Sequence, residues 1–182
     1  MVGLALAFGT LSAITKGNGA GIRDAVGNVS APWLIVPLGG AFYAARGRAL
    51  IGAAFGITTT MAAILGFYAA NAFVLDLGPH STFADLGLAL SPAVVLAPYG
   101  VVTGTIFGAI GAWSAARRPF AAVWIAAGLL SLEPLAWIVL FASRGMRLGD
   151  GFAQPTVWAG EAIVGLGLAA YTRWRARRTC GF

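Results

Sequence analysis

Residues 49–75 read ALIGAAFGITTTMAAILGFYAANAFVL, a run without one charged side chain. A helix that crosses the hydrocarbon core of a bilayer needs about 20 mainly apolar residues, and this run is longer than that. Residues 25–45 and 86–116 also lack charge, while 119–143 and 151–172 carry one charged residue each. Of the 182 residues, 59% are hydrophobic and 10% charged, against about 25% charged in a soluble domain. Too little polar surface remains to cover such a molecule in water. Inside lipid every backbone polar group must be paired internally, so only helices and closed barrels can span. The runs are far longer than barrel strands and have no period of two. The sequence therefore predicts an all-α, polytopic membrane protein. A single integral domain forms a six-helix bundle, with helices at about 1–15, 31–45, 49–75, 88–115, 120–143 and 155–172, and residues 173–182 form a basic tail.

The first segment is the shortest, with 15 residues before Lys16, whose side chain can snorkel outward to extend its reach. It lacks the basic n-region and the small-x-small cleavage site of a signal peptide, so a helix is expected, and a start further upstream stays open. Between helices 1 and 2, KGNGAGIRDAVGNVSA is too polar to span. Ile22, Val26 and Val29 recur there at helical spacing, which suits either a short interfacial helix or a flexible loop.

Sorting the basic residues by loop orients the bundle. Arg46 and Arg48 follow helix 2, Arg117 and Arg118 follow helix 4, and Arg173, Arg175, Arg177 and Arg178 follow helix 6, so all eight fall on one face of a six-helix meander. On the other face Lys16, Arg23, Arg144 and Arg147 are balanced by Asp24, Asp76, Asp85 and Asp150. Cytoplasmic loops carry the Lys/Arg excess. Both termini are therefore expected in the cytoplasm, in a bacterial plasma membrane. The net charge of +6 then follows from topology and contact with anionic membrane lipids, and it calls for no nucleic acid. Trp33 and Trp158 near outer ends, and Trp113, Trp124 and Trp174 near inner ends, suit an aromatic belt.

Helices 2, 4 and 6 share a pattern. APWLIVPLG, SPAVVLAPYG and QPTVWAG each open near a proline, Pro32, Pro92 or Pro155, which suits a first helical turn. Pro37 and Pro98 fall inside their helices. The pattern suits either a trace of repeated helical hairpins or the general abundance of Gly and Pro in membrane helices.

Two carboxylates lie within spans, Glu133 and Glu161. A charge at mid-membrane costs roughly 2.5–3.5 kcal/mol on insertion scales, so such groups face a cavity or a partner. Each has a tryptophan on its own helix face. Trp137 lies four residues after Glu133, and Trp158 lies three before Glu161. Carboxylate and indole together suit an organic cation or a flat heteroaromatic ring. Asn71, Tyr68 and Tyr99 can add polar contacts. The structural alternative is a pair of glutamates hydrogen-bonded to neighbouring helices, with Asn71 and Thr58–Thr60 serving as interhelical bonds. Gly52 with Gly56, Gly104 with Gly108, and the series Ala5, Gly9, Ala13 are small-xxx-small patterns that let helices approach closely. They serve either packing within the bundle or docking of a partner.

Catalytic constellations are largely missing. His80 sits between Asp76 and Asp85, a conceivable metal trio, but turn-forming Pro79 and Ser81 favour a solvated loop; Cys180 stands alone, so neither a Cys-based metal cluster nor a disulfide framework is available. No nucleophile–base pair, phosphate loop, metal or cofactor is expected.

The Ala/Gly/Arg-rich six-span pattern, with EPLAW at Glu133–Trp137, resembles a family of uncharacterised integral membrane proteins from high-GC Gram-positive bacteria. That family implies no activity. A fainter likeness is to the substrate-binding S components of energy-coupling-factor transporters. It implies an ATPase-containing partner docked on Ala5, Gly9 and Ala13, with glycine where that motif has its middle alanine. Two functions are expected from these features. The first is binding or transport of a small solute in an outward-facing cavity lined by Glu133 and Glu161. The second is a non-transporting membrane subunit or scaffold in which the glutamates are structural.

Overall fold

The computed structural model describes residues 1–16, 29–72, 83–144 and 155–179, which form helices and no strand. In chain order these are α1 (Val2–Lys16), α2 (Ala31–Ala45), α3 (Ala49–Ala70), α4 (Phe83–Arg117), α5 (Pro119–Ser143) and α6 (Pro155–Thr179). The chain is thus an all-α helical bundle, as its apolar runs predict. Residues 71–72 continue α3 as a π-turn. The suspected interfacial helix at 17–28 and the loop carrying Asp76 and His80 lie outside the described residues.

Packing registers give the topology. Along α1, Ala5 meets Ala62 and Ala63 of α3, and Ala13 meets Phe67 and Ala70, so the two helices run parallel. Gly52 and Gly56 of α3 face Gly108 and Gly104 of α4 in the antiparallel sense. Leu38 of α2 joins Ala122 and Ala126 of α5 in one apolar cluster, with Leu168 of α6 packed on it. Direction therefore alternates from helix to helix, and α1 begins at the end of the bundle where α6 finishes. Arg46, Arg48, Arg117, Arg118, Arg173, Arg175, Arg177 and Arg178 are all exposed, and this alternation gathers them at that same end.

The small-residue pairs are spent inside the bundle. A Cβ on Gly56 would strike the Gly104 carbonyl, and one on Gly108 the Gly52 carbonyl, so α3 and α4 touch backbone to backbone. Ala5, Gly9 and Ala13 are buried against α3, and a Cβ on Gly9 would strike the Ala63 carbonyl. Gly66, Gly111 and Gly165 make equivalent approaches to α1, α2 and α5. Between α2 and α3 the chain turns on Arg46 (φ 33°) and Gly47 (φ 90°). The Gly47 N–H donates to the Ala112 carbonyl of α4 at 2.8 Å, which fixes the turn to its neighbour.

Three expectations change. Thr58, Thr59 and Thr60 donate to carbonyls of their own helix at 2.8–3.1 Å rather than across to another, because in a helix the i−4 carbonyl is always within reach of a threonine hydroxyl. The interhelical bond falls to Thr10, which donates to the Gly66 carbonyl at 3.3 Å. Pro92 is no first-turn residue, since α4 begins at Phe83 and both Pro92 and Pro98 lie within it. The basic tail is not separate either: α6 continues to Thr179, with Tyr171 and Arg178 packed on the Trp174 ring at centroid distances of 5.9 and 4.0 Å. Arginine and alanine are good helix formers, and the i±3 and i±4 spacings bring these rings and the guanidinium together.

Among the described residues, three helical spans are long and apolar enough to cross a membrane: Ala49–Ala70, Leu90–Arg117 and Phe120–Leu140. Half of the α3 span is buried in the bundle (50%), against 22% for those of α4 and α5. Their outer faces show large apolar side chains such as Leu50, Val94, Val95, Leu135 and Val139. Such a surface suits contact with lipid. Helices α1 and α2 are shorter, with 15 residues each.

Candidate functional site: the carboxyl and indole cluster at the start of α2

A helix of 15 residues rises only about 22 Å, short of the roughly 30 Å hydrocarbon core. The N-terminus of α2 lies beside Glu133 of α5, ten residues before the end of that helix at Ser143. The first N–H groups of any helix lack partners within it. Ser30 occupies the N-cap position in an αR conformation and gives no side-chain cap. Pro32 has no N–H, and Trp33 N–H donates to the Ser30 carbonyl at 3.0 Å. The two N–H groups left over, of Ser30 and Ala31, donate to Glu133 Oε1 and Oε2 at 2.6 and 2.5 Å. Glu133 is thus a helix cap supplied by a different helix. The placement is favourable twice over, because charged hydrogen bonds are strong and the positive end of the α2 dipole faces the carboxylate.

Trp137, one turn along α5, donates its indole N–H to Glu133 Oε1 at 3.1 Å. Its ring lies 6.4 Å from that of Trp158 on α6, inclined at 55°. The carboxyl–indole pairs of α5 and α6 therefore meet. Glu161 is near enough to Glu133 for the carboxyl groups to interact electrostatically. It differs from Glu133 in one respect. It is 8% exposed, and neither of its oxygens has a hydrogen-bond partner among the described residues. Buried polar atoms are nearly always satisfied, so this carboxyl is an exception that a ligand, a water or a proton shared with the neighbouring Glu133 carboxyl would resolve.

Glu133 and Trp137 also line an apolar cleft of about 590 Å³ with Leu34, Phe107, Ile125 and Leu132. Glu161 is not among its lining residues; it sits behind, at the α5–α6 contact. Tyr99 lies on a different cleft, on the α3–α4 side of α2, and Asn71 lines neither of the two. Asn71 instead closes α3, its backbone N–H reaching the Phe67 and Tyr68 carbonyls. Among the described residues no three His, Cys, Asp or Glu side chains converge as metal ligands do.

Sequence reasoning found the four members of the cluster but missed what Glu133 holds. Ser30-Ala-Pro is a helix-start signal without a following Glu or Gln to complete a capping box, and that gap was the available hint. No protein family, curated protein or solved structure matches the chain.

Proposed function

We propose that this chain is a multi-pass protein of a bacterial plasma membrane, with both termini in the cytoplasm, that binds or carries a small organic cation at the Glu133–Trp137–Trp158–Glu161 cluster. The observation that carries this reading is the buried Glu161 carboxyl, to which no described residue donates a hydrogen bond, beside two indoles and a second carboxyl. An ammonium or guanidinium group supplies the missing donors, and the indole faces favour it through cation–π attraction. Glu133, already engaged by Ser30, Ala31 and Trp137, would orient the site and add negative potential. With Ala5, Gly9 and Ala13 covered by α3, an ATPase-containing partner could use that stripe only if α1 came away. This favours a self-contained binding protein or carrier over a subunit of the S-component kind. Calorimetric titration of the purified protein with 2-phenylethylammonium tests the reading. Binding should be lost in Glu161→Gln, and unchanged affinity in that variant would remove the site.

One observation favours the second reading, a non-transporting membrane subunit or scaffold. Ser30, Ala31 and Trp137 of the chain itself donate to Glu133, so this carboxylate has a structural task whether or not a ligand exists. In that case Glu161→Gln would shift thermal stability and no titrant would distinguish it from the parent.

A further inference from the structure

We infer that the cleft on the α3–α4 side of α2 is a second binding site, and that it takes a small flat aromatic acid. The cleft holds about 460 Å³ and is walled by α2, α3 and α4, with the end of α1 reaching it through Lys16. That volume suits a ring-sized solute, since small-molecule pockets run from about 300 to 1,000 Å³. Its walls are aromatic. Trp33, Phe67, Tyr68 and Tyr99 all line it. Trp33 packs edge-to-face on Phe67 at 5.5 Å, and Phe67 on Tyr68 at 5.2 Å. Trp33 is backed in turn by Phe8 at 5.3 Å, so these rings are held by packing before any ligand arrives. Tyr99, 69% exposed, stands opposite on α4. Such rings offer a planar guest the edge and face contacts that aromatic pairs prefer.

Charge decides the kind of guest. The Lys16 ammonium lies 5.8 Å from the Phe67 ring centroid, which holds it over the cleft. Neither Glu133 nor Glu161 lines this cleft, so among these residues Lys16 supplies the formal charge. A carboxylate on the guest would pair with that ammonium, and the phenol hydroxyls of Tyr68 and Tyr99 can donate to the same group. An organic cation, suited to the glutamate cluster, would be repelled here. The two clefts share Ser30 and Leu34 as a common wall, so the short α2 separates the cleft lined by Glu133 from the one reached by Lys16.

Calorimetric titration of the full chain in mild detergent with 2-naphthoate, and with 2-naphthylmethylammonium as the cation of equal shape, tests this. The naphthoate should bind and the ammonium should not. Lys16→Gln should weaken naphthoate about tenfold or more, the scale of one charged hydrogen bond, and Lys16→Arg should recover most of it. Tyr99→Ala, at an exposed position that the fold does not need, should also weaken it. Glu161→Gln should leave naphthoate untouched, which separates this site from the cation site. Failure of naphthoate to bind, equal binding of the two probes, or an indifferent Lys16→Gln would overturn the inference. So would Lys16-dependent displacement of naphthoate by phosphatidylglycerol but not phosphatidylcholine, which would assign the cleft to a lipid headgroup.

Discussion

Two glutamates of the same kind, each lying within an apolar span of the sequence, come to opposite circumstances in the fold. Glu133 receives donors from Ser30, Ala31 and Trp137, whereas Glu161 receives none among the described residues. Their amide variants should therefore separate. Glu133→Gln replaces an acceptor oxygen with an NH₂ that faces a backbone N–H, and removes the charge at the α2 dipole. It should destabilise the protein by about 0.5–2 kcal/mol, the range for loss of a helix N-cap, since Ser30 is exposed and Glu133 only half-buried. Glu161→Gln leaves no donor stranded and removes a buried carboxyl without a partner, so the ligand-free protein should be at least as stable as the parent. Thermal unfolding in one detergent measures both, and the reverse order would contradict the capping role. Sequence located these residues from the rarity of charge in apolar runs. It could not choose between cavity and neighbouring helix, because that choice depends on where α2 ends in space.

Helices here are held by the absence of side chains as much as by their presence. Where α3 crosses α4, Gly52, Gly56, Gly104 and Gly108 let carbonyls of one helix sit where Cβ atoms would otherwise be. Gly56→Ala should thus force the pair apart and destabilise by about 1–3 kcal/mol, as overpacking does. Gly128 and Gly167 have open space at the Cβ position. Alanine there should be neutral or stabilising by up to about 1 kcal/mol, since glycine is the poorer helix former. A thermal-shift series over these three variants checks the contrast, and a uniform loss across all of them would refute it. The four-residue spacing made these interfaces legible in the sequence. Their pairing was not, because spacing says that a helix has a close face and not which helix meets it. Gly66, Gly111 and Gly165 have only alanines as small partners at the four-residue spacing (Ala62 and Ala70, Ala115, Ala169), a pattern too common in an alanine-rich chain to mark a contact face.

At the scale of the whole molecule, alternation of helix direction gathers eight exposed arginines at one end. The proposed orientation, from the positive-inside rule, puts that end in the cytoplasm, and Cys180, the only cysteine in the sequence, gives a native reporter. A membrane-impermeant maleimide should label it in inverted vesicles and not in intact cells; labelling of intact cells would reverse the proposed orientation. What the sequence determined by itself was the class of molecule: composition and run length fix helices in an apolar setting, because backbone polar groups leave no other choice there. The helix positions followed within a few residues for α1, α2 and α5, where charged residues or prolines bound them. Only the tertiary structure decided which faces met, that α2 starts beside Glu133, and that Glu133 caps it while no described residue donates to Glu161. Those outcomes depend on contacts between residues as far apart in the chain as Ser30 and Glu133, and local pattern carries no record of such a distance.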